Sequence, residues 1–181
     1  MNNQEKNTYV RNRILETLLA MMRERPLASI SISALTDTAQ VGRASFYRNF
    51  SDKEDVLRQE NCRLTTQWKD EFSREAHGDD AHEFFISLLD FYKAHADFYL
   101  TLYQAGLANM VLQTLLEQSE ITPEMPNALA YLKSSMAYML YGWILEWMKR
   151  GMPESGTELA RMIEEAQEAN IKESHAERPV Q

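Results

Sequence analysis

The chain has 181 residues, and its 19 Lys and Arg against 27 Asp and Glu give a formal charge of −8 with neutral His. An acidic total argues against a nucleic-acid-binding protein, because such proteins usually present a basic surface to phosphates. The charge is uneven, however: residues 1–50 hold seven Lys and Arg and four Asp and Glu, a net charge of +3, which leaves −11 for residues 51–181.

The composition is that of a folded protein rather than a disordered one, with 44% hydrophobic and 25% charged residues. Six Gly and five Pro are too few for a protein with many tight turns, so an all-β fold is excluded. A single cysteine, Cys62, cannot form an internal disulfide, which indicates a reducing compartment. Residues 1–6 are polar and no apolar membrane segment follows, so the sequence predicts a cytoplasmic protein without a membrane partner.

Three short helices are predicted for the first 50 residues. Apolar side chains at helical spacing predict the first over residues 9–25. Ser31 fits the N-cap of a second helix that ends near Ala39. After a break at residues 40–42, residues 43–49 can form two turns of a third helix.

Longer helices are predicted for the rest of the chain. The segment from Ser51 to Glu54 has the pattern of a capping box, with Asp52 as an alternative cap, and begins a helix that runs past residue 70. Polar residues 76–81 predict a loop. Apolar residues at helical spacing then predict helices over residues 84–94, 98–116 and 128–149. A last helix opens at Thr157. Residues 173–181 form a charged tail that is predicted to fray.

The second and third predicted helices have the dimensions of a helix-turn-helix, in which the second helix enters the DNA major groove. Residues 39–57 read AQVGRASFYRNFSDKEDVL. This segment resembles the signature of the TetR family of bacterial transcriptional regulators. The resemblance implies an all-α fold with a three-helix DNA-binding head, residues 1–52, and a larger helical body for effector binding and dimerisation, residues 53–172.

Four positions depart from the family signature. Gln40 stands where the family has a turn glycine, Gly42 where it has an N-capping serine, Ala44 for a glycine and Asn49 for a histidine. If the turn needs a positive φ, Gln40 carries strain, part of which Gly42 can absorb. Without a side-chain cap at Gly42, the third helix loses one hydrogen bond.

By resemblance, the residues that contact DNA lie on the recognition helix and at two helix N-termini: Ser31, Ser33, Arg43, Ala44, Ser45, Tyr47, Arg48 and Lys53. The arginines can bind guanine or phosphate, and helix N-termini favour phosphates. The alternative interpretation is that these residues form a basic face in contact with solvent only. The same two interpretations stay open for Lys6, Arg11 and Arg13. Two aromatic residues, Phe46 and Phe50, are expected to hold the recognition helix against Ile14, Leu18 and Leu35.

The last two long helices are the candidates for a dimer interface. Residues 141–155 resemble the C-terminal domain of a TetR subgroup common in Firmicutes, with Gly142 followed by tryptophans and by Gly-Met-Pro-Glu-Ser. Gly142 would allow close helix approach, and Trp143 or Trp147 would bury a large area. The alternative is that both tryptophans belong to the core of their own chain.

A stripe of aromatic and aliphatic residues is a candidate effector pocket, with ordinary core as the alternative: Phe85, Leu89, Tyr92, Tyr99, Tyr103, Met110, Met136 and Met139. Residues 77–83 hold two His and three carboxylates, but the His spacing favours a solvated loop over a metal site. No catalytic motif is present, so the sequence predicts no enzyme activity, cofactor or metal.

Taken together, these features predict a homodimeric repressor that binds a palindromic stretch of double-stranded operator DNA and is released by an unknown small-molecule or protein effector. A different hypothesis is a protein-interaction module whose DNA-binding head is vestigial. The departures at Gln40 and Gly42 are its main support.

Overall fold

The computed structural model describes residues 3–74 and 81–176. Within these ranges the chain forms nine α-helices and no strand, which confirms the all-α prediction. A 3-10 turn at Leu27–Ser29 precedes the second helix. The helices are α1 Asn3–Glu24, α2 Ile32–Ala39, α3 Arg43–Asn49, α4 Lys53–Arg74, α5 Ala81–Ala94, α6 Ala96–Gln104, α7 Asn109–Gln118, α8 Asn127–Lys149 and α9 Gly156–Ala176.

The first three helices enclose a small apolar core, as the sequence predicts. Phe46 of α3 is fully buried, and its ring lies 5.7 Å from that of Phe50. Both belong to the same cluster as three fully buried residues of α1 and α2, namely Ile14, Leu18 and Leu35. Burial of these side chains fixes the orientation of α3, because α3 has only seven residues and cannot be stable alone.

Helix α4 leaves the head and forms part of the body. Its first turn uses the alternative cap: Asp52 Oδ1 accepts a hydrogen bond from the Asp55 N–H at 2.7 Å, and Asp55 Oδ2 accepts one from the Ser51 N–H at 2.9 Å. The helix then continues to Arg74, which confirms that it passes residue 70. The predicted loop at residues 76–81 lies outside the described residues except for Ala81, where α5 begins.

The segment 98–116 is not one continuous helix, as its apolar spacing suggests, but two. Helix α6 ends at Gln104 and α7 begins at Asn109. Gly106 lies between them with φ of +74°, a conformation that other residues seldom adopt. The Leu107 N–H donates to the Leu102 carbonyl at 2.9 Å, which satisfies the end of α6. Hydrophobic periodicity continues through this break because both helices pack on the same core.

Helices α5 and α9 pack closely against each other in the body. A Cβ atom at Gly156 would lie 2.5 Å from the Asp90 backbone nitrogen, so any side chain at the first residue of α9, even that of alanine, would collide with α5. Lys93 donates to the Met152 carbonyl, and His82 Nδ1 lies 2.6 Å from Glu164 Oε1. Helix α9 reaches Ala176, inside the tail predicted to fray, and residues 177–181 lie outside the described part.

Gly151 follows the end of α8 with φ of +82°, a left-handed conformation that is common just after a helix C-terminus. None of the helices in the described part of the chain combines the length and apolar character that a membrane span requires.

Candidate nucleic-acid interface

The turn between α2 and α3 contains a strained residue. Gln40 adopts the left-handed conformation, with φ of 57° and ψ of 41°. Two backbone hydrogen bonds close α2 around it, from the Gln40 N–H to Asp37 O at 3.2 Å and from the Val41 N–H to Thr36 O at 3.0 Å. Gly42 has φ of −70° and no side-chain cap. The strain therefore lies on Gln40 alone, and Gly42 does not absorb it.

Helix α3 presents its polar side chains away from the core. Arg43, Ala44, Tyr47 and Arg48 are exposed, and Ser45 is half-buried. The Tyr47 side chain is 53% exposed and its ring contacts the edge of Phe46, with centroids 5.4 Å apart. Neither arginine forms an ion pair with any residue in the described ranges. This face therefore has two unpaired cations beside a tyrosine hydroxyl.

Further polar groups stand at the N-termini of α2 and α4. Ser31 caps α2, since its Oγ accepts a hydrogen bond from the Ala34 N–H at 3.1 Å, and Ser33 is exposed in the first turn of the same helix. The Lys53 ammonium donates to the Leu27 carbonyl at 2.7 Å, which joins the start of α4 to the segment before α2. An ammonium has three N–H donors, so this bond leaves Lys53 able to bind an anion.

Two basic residues of α1 have other contacts. The Arg11 guanidinium lies over the Phe50 ring at 5.1 Å, and Arg13 is paired with Glu16 at 3.7 Å. Lys6 instead borders a cleft between the start of α1 and α3, together with Tyr9, Ser45 and Arg48. Tyr9 is 57% exposed and is not among the predicted DNA-contact residues.

Helix α4 holds the C-terminal end of α3. The Gln59 side chain donates to the Asn49 carbonyl at 3.1 Å and to Asp55 Oδ2 at 2.8 Å. Burial alone would raise the pKa of Asp55, but hydrogen bonds from the Ser51 N–H and Gln59, with the charge of Arg58, lower it below its usual value. The ionised carboxylate thus joins the recognition helix to the helix that enters the body.

Comparison of the sequence with protein families gives two matches on separate parts of the chain. Residues 14–59 match the model for bacterial regulatory proteins of the tetR family, and residues 79–168 match a model for a transcriptional regulator C-terminal region. The chain belongs to the TetR family. It is a transcriptional regulator with a DNA-binding helix-turn-helix, and α2 and α3 are that motif. No curated protein matches the full sequence.

Solved structures share the fold of this TetR-family regulator. Lin0861 from Listeria innocua superposes with a TM-score of 0.75 at 17% identity, over 93% of this chain and 94% of that one. A protein from Syntrophomonas wolfei that carries the name of a TetR-family transcriptional regulator gives a TM-score of 0.55 at 16% identity, over 90% and 92% of the two chains. At these identities the likeness concerns the fold alone.

Three of the eight predicted pocket residues of this TetR-family regulator lie in its core, and three more pack against it. Leu89, Tyr92 and Tyr99 are fully buried, whereas Met136 and Met139 are 48% and 46% exposed. The remaining three are half-buried: Phe85, Tyr103 and Met110. A cavity does exist, but between α4, α5, α7 and α8, and Met136 is the one predicted pocket residue among its lining residues. For the buried residues, the alternative of ordinary core agrees with the structure.

The dimer candidates differ in their accessibility. Trp147 is 2% exposed, so the alternative of an intrachain core position holds for it, and its large area is not available to a partner. Trp143 is half-buried against Phe85, with ring centroids 5.1 Å apart. Gly142 is exposed, and a Cβ there would meet no atom within 4 Å. Exposed apolar residues accompany it along α8: Leu129, Tyr131, Leu132, Met136, Tyr138 and Met139.

The segment considered for a metal site, residues 77–83, lies mostly outside the described ranges. Inside them, His82 is near Glu164, and no group of three His, Cys, Asp or Glu side chains is arranged to hold a metal ion.

Proposed function

We propose that this regulator is a repressor that binds a palindromic operator as a homodimer and is released by an effector. The observation that carries the proposal is the exposed face of α3, where Arg43 and Arg48 have no acidic partner among the described residues and flank the exposed Tyr47. Unpaired guanidinium groups on a short helix at a protein surface suit the major groove, where each can donate two hydrogen bonds to a guanine.

Contacts to the DNA backbone would set the position of this helix. In the proposal, Ser31, Ser33 and Lys53 bind phosphates on one side of α3, and Tyr47 binds a phosphate near Ser45 and Ala44. The N-terminus of α2 adds favourable partial charge, because its free N–H groups point outward. Lys6 and Tyr9, across the cleft from Arg48, extend the same surface.

The dimer would be formed by α8 and α9. In the proposal, the apolar residues exposed along α8 and Met162 of α9 form the dimer face, because a monomer would leave them in water. A two-fold axis through this face gives two recognition helices. The expected half-sites are about 34–36 Å apart, or a multiple of this distance.

Release would act through α4. This helix contacts the head through Lys53 and Gln59, and it lines the cavity in the body through Thr65, Trp68 and Lys69. An occupant that favours another position of α4 would shift the dimer to a state whose head separation does not match the operator.

A mobility-shift assay at low salt with the DNA upstream of the regulator's own operon tests the proposal. The wild type should shift this DNA, and the double substitution Tyr47→Ala and Lys53→Ala should lower its affinity at least about tenfold, a loss of roughly 1.4 kcal/mol or more. Lys149→Ala is the matched control, since Lys149 is an exposed cation of the body that faces Glu146. Absence of binding by the folded wild type would refute the proposal.

The second candidate function is a protein-interaction module with a vestigial head. The strained Gln40 and the uncapped Gly42 favour it, because both weaken the helix-turn-helix. On this hypothesis the double substitution leaves regulation in the cell unchanged. No catalytic activity, cofactor or metal is part of either proposal.

A further inference from the structure

A cavity of about 250 Å³ lies in the body between α4, α5, α7 and α8. Its walls are mainly apolar and include Trp68, Leu88, Leu115, Ala137 and Leu140. Its volume is somewhat below that of sites for drug-sized ligands, which measure about 300–1,000 Å³. The cavity therefore suits a small apolar molecule.

One edge of the cavity is cationic. Two of its lining residues are lysines, Lys69 on α4 and Lys133 on α8. The Lys69 ammonium donates to Glu120 Oε1 at 3.0 Å, and the Lys133 ammonium donates to the Ser119 carbonyl at 2.8 Å. The Lys69 hydrogen bond and then the charges of Lys69 and Lys133 lower the pKa of Glu120. Lys133 has no ion-pair partner among the described residues, so its positive charge beside the cavity is unpaired.

A free positive charge beside an apolar cavity selects a particular ligand chemistry. Lys133 is half-buried and uses one of its N–H donors on a neutral carbonyl, so two donors remain for an anion. An ion pair with a carboxylate is stronger than the hydrogen bond to the neutral carbonyl, because it adds the attraction between two full charges. A ligand with one negative charge would neutralise the cluster, whereas a cationic ligand would add to the repulsion.

We propose that this cavity binds an apolar monocarboxylate, with its carboxylate at Lys133 and Lys69 and its hydrocarbon part against Trp68, Leu88 and Leu140. The inference rests on the proposed function, because the bound acid is the effector of that function. The carboxylate competes with Glu120 for Lys69, and Lys69 belongs to the helix that holds α3 through Gln59. Ligand charge is thereby linked to the position of the recognition helix.

Isothermal titration calorimetry of the full-length protein tests the site with straight-chain acids from hexanoate to decanoate. The corresponding alcohols and amines separate the effect of charge from that of apolar burial. At least one acid should bind with one equivalent per chain, at least about tenfold more tightly than its alcohol, since one charge-assisted hydrogen bond is worth that ratio or more. The amines should bind more weakly than the alcohols.

Lys133→Met keeps the apolar stem of the side chain and removes its charge. This variant should lose the preference for acid over alcohol, by about tenfold, while its binding of the alcohol is unchanged. Lys149→Met is the control: it removes an exposed cation from the same helix, next to Glu146, and should leave acid binding as in the wild type. Equal binding of acid and alcohol by the wild type, or equal acid binding by Lys133→Met, would overturn the proposal.

The acid site and DNA binding can fail separately. If none of the acids binds while the wild type still shifts operator DNA, the carboxylate proposal is wrong and the repressor proposal stands. If an acid binds with the expected lysine dependence while DNA is not shifted, the site stands and the repressor proposal is wrong.

Discussion

Gln40 shows how one residue can keep a motif intact at a cost in stability. Its left-handed conformation, φ 57° and ψ 41°, is the one that the family signature assigns to glycine. Residues other than Gly, Asn or Asp are disfavoured in this conformation by roughly 1–2 kcal/mol. Both backbone hydrogen bonds of the turn are nevertheless formed. The head therefore retains the geometry of the turn and carries its strain.

We expect Gln40→Gly to raise the free energy of unfolding by about 1 kcal/mol, because glycine adopts a positive φ without a steric penalty. Urea denaturation followed by circular dichroism measures the change. Gln40→Ala serves as the control and should give no gain, since alanine keeps the Cβ atom that causes the strain. A gain for alanine equal to that for glycine would show that the backbone conformation is not the cause.

Two buried tyrosines of the body differ in their hydrogen bonding. The Tyr99 hydroxyl donates to Asn61 Oδ1 at 3.0 Å, and the Asn61 amide donates to Thr114 Oγ1 at 2.8 Å, which connects α4, α6 and α7. The Tyr92 hydroxyl is buried without a partner among the described residues. Burial raises the pKa of both phenols, so both keep their proton at neutral pH.

The substitutions Tyr99→Phe and Tyr92→Phe should therefore have opposite effects on stability. Tyr99→Phe leaves the buried Asn61 oxygen without its donor and should cost about 1–2 kcal/mol. Tyr92→Phe removes a buried polar group without a partner and should be neutral or stabilising by up to about 1 kcal/mol. Urea denaturation of the two variants side by side measures the difference. Equal losses would contradict the assignment of the hydrogen bonds.

At the scale of helices, the sequence predicts the head more completely than the body. Ser31, the break at residues 40–42 and the cap at Asp52 act within a few residues of themselves, so local patterns suffice to define α2, α3 and the start of α4. The division between α6 and α7 depends on the backbone of a single glycine, Gly106, which apolar spacing does not detect. Local signals thus place helix ends where caps are present, and periodicity alone does not.

The candidate sites show the same limit. The DNA-contact prediction depends on a contiguous motif, and most of its residues are exposed on α3 and at the start of α2. The pocket and dimer predictions depend on which face of each helix is turned to which neighbour. Tyr92, a pocket candidate, and Trp147, a dimer candidate, are buried instead. The cavity is lined by Lys69 of α4 and Lys133 of α8, two helices that are distant in sequence. No spacing rule relates them.

The junction between α3 and α4 should be sensitive to pH through Asp55. Its folded-state pKa is lowered below the unfolded value of about 3.9, so the stability it contributes is present above that value and is lost as the pH falls through the folded pKa. Asp55→Asn should destabilise the protein by about 1–2 kcal/mol at pH 7, and the difference from the wild type should shrink below about pH 4.

Urea denaturation between pH 7 and pH 3 measures this difference. Asp37→Asn, at an exposed position on α2, is the control and should track the wild type throughout. A loss of stability in Asp55→Asn that does not depend on pH would show that the carboxylate charge is not involved.

At the scale of the whole molecule, the proposed homodimer depends on the apolar residues exposed along α8. Tyr138 is 55% exposed and lies one turn before Gly142, at which a side chain would meet no atom of its own chain. Tyr138→Glu should convert a dimer into monomers in sedimentation velocity, because an unpaired charge would be buried at the interface. Gln113→Glu adds the same charge at an exposed position on α7 and should leave the dimer intact. A Tyr138→Glu dimer would exclude this face.

The distribution of charge also belongs to this scale. The first 50 residues carry +3 and the rest of the chain −11, so two chains would carry about −22 on their bodies. A net negative charge on the bodies disfavours their contact with DNA. The total charge of −8 is therefore compatible with a DNA-binding function.

The most direct test of the central claim is selection of bound sequences from a random pool of double-stranded DNA by the purified wild-type protein. We expect enrichment of an inverted repeat with half-sites about 34–36 Å apart or a multiple of this distance. This enrichment should be lost when Tyr47 and Lys53 are both replaced by alanine. No enriched sequence at low salt, or one without a repeat, would contradict a dimer that reads an operator through α3.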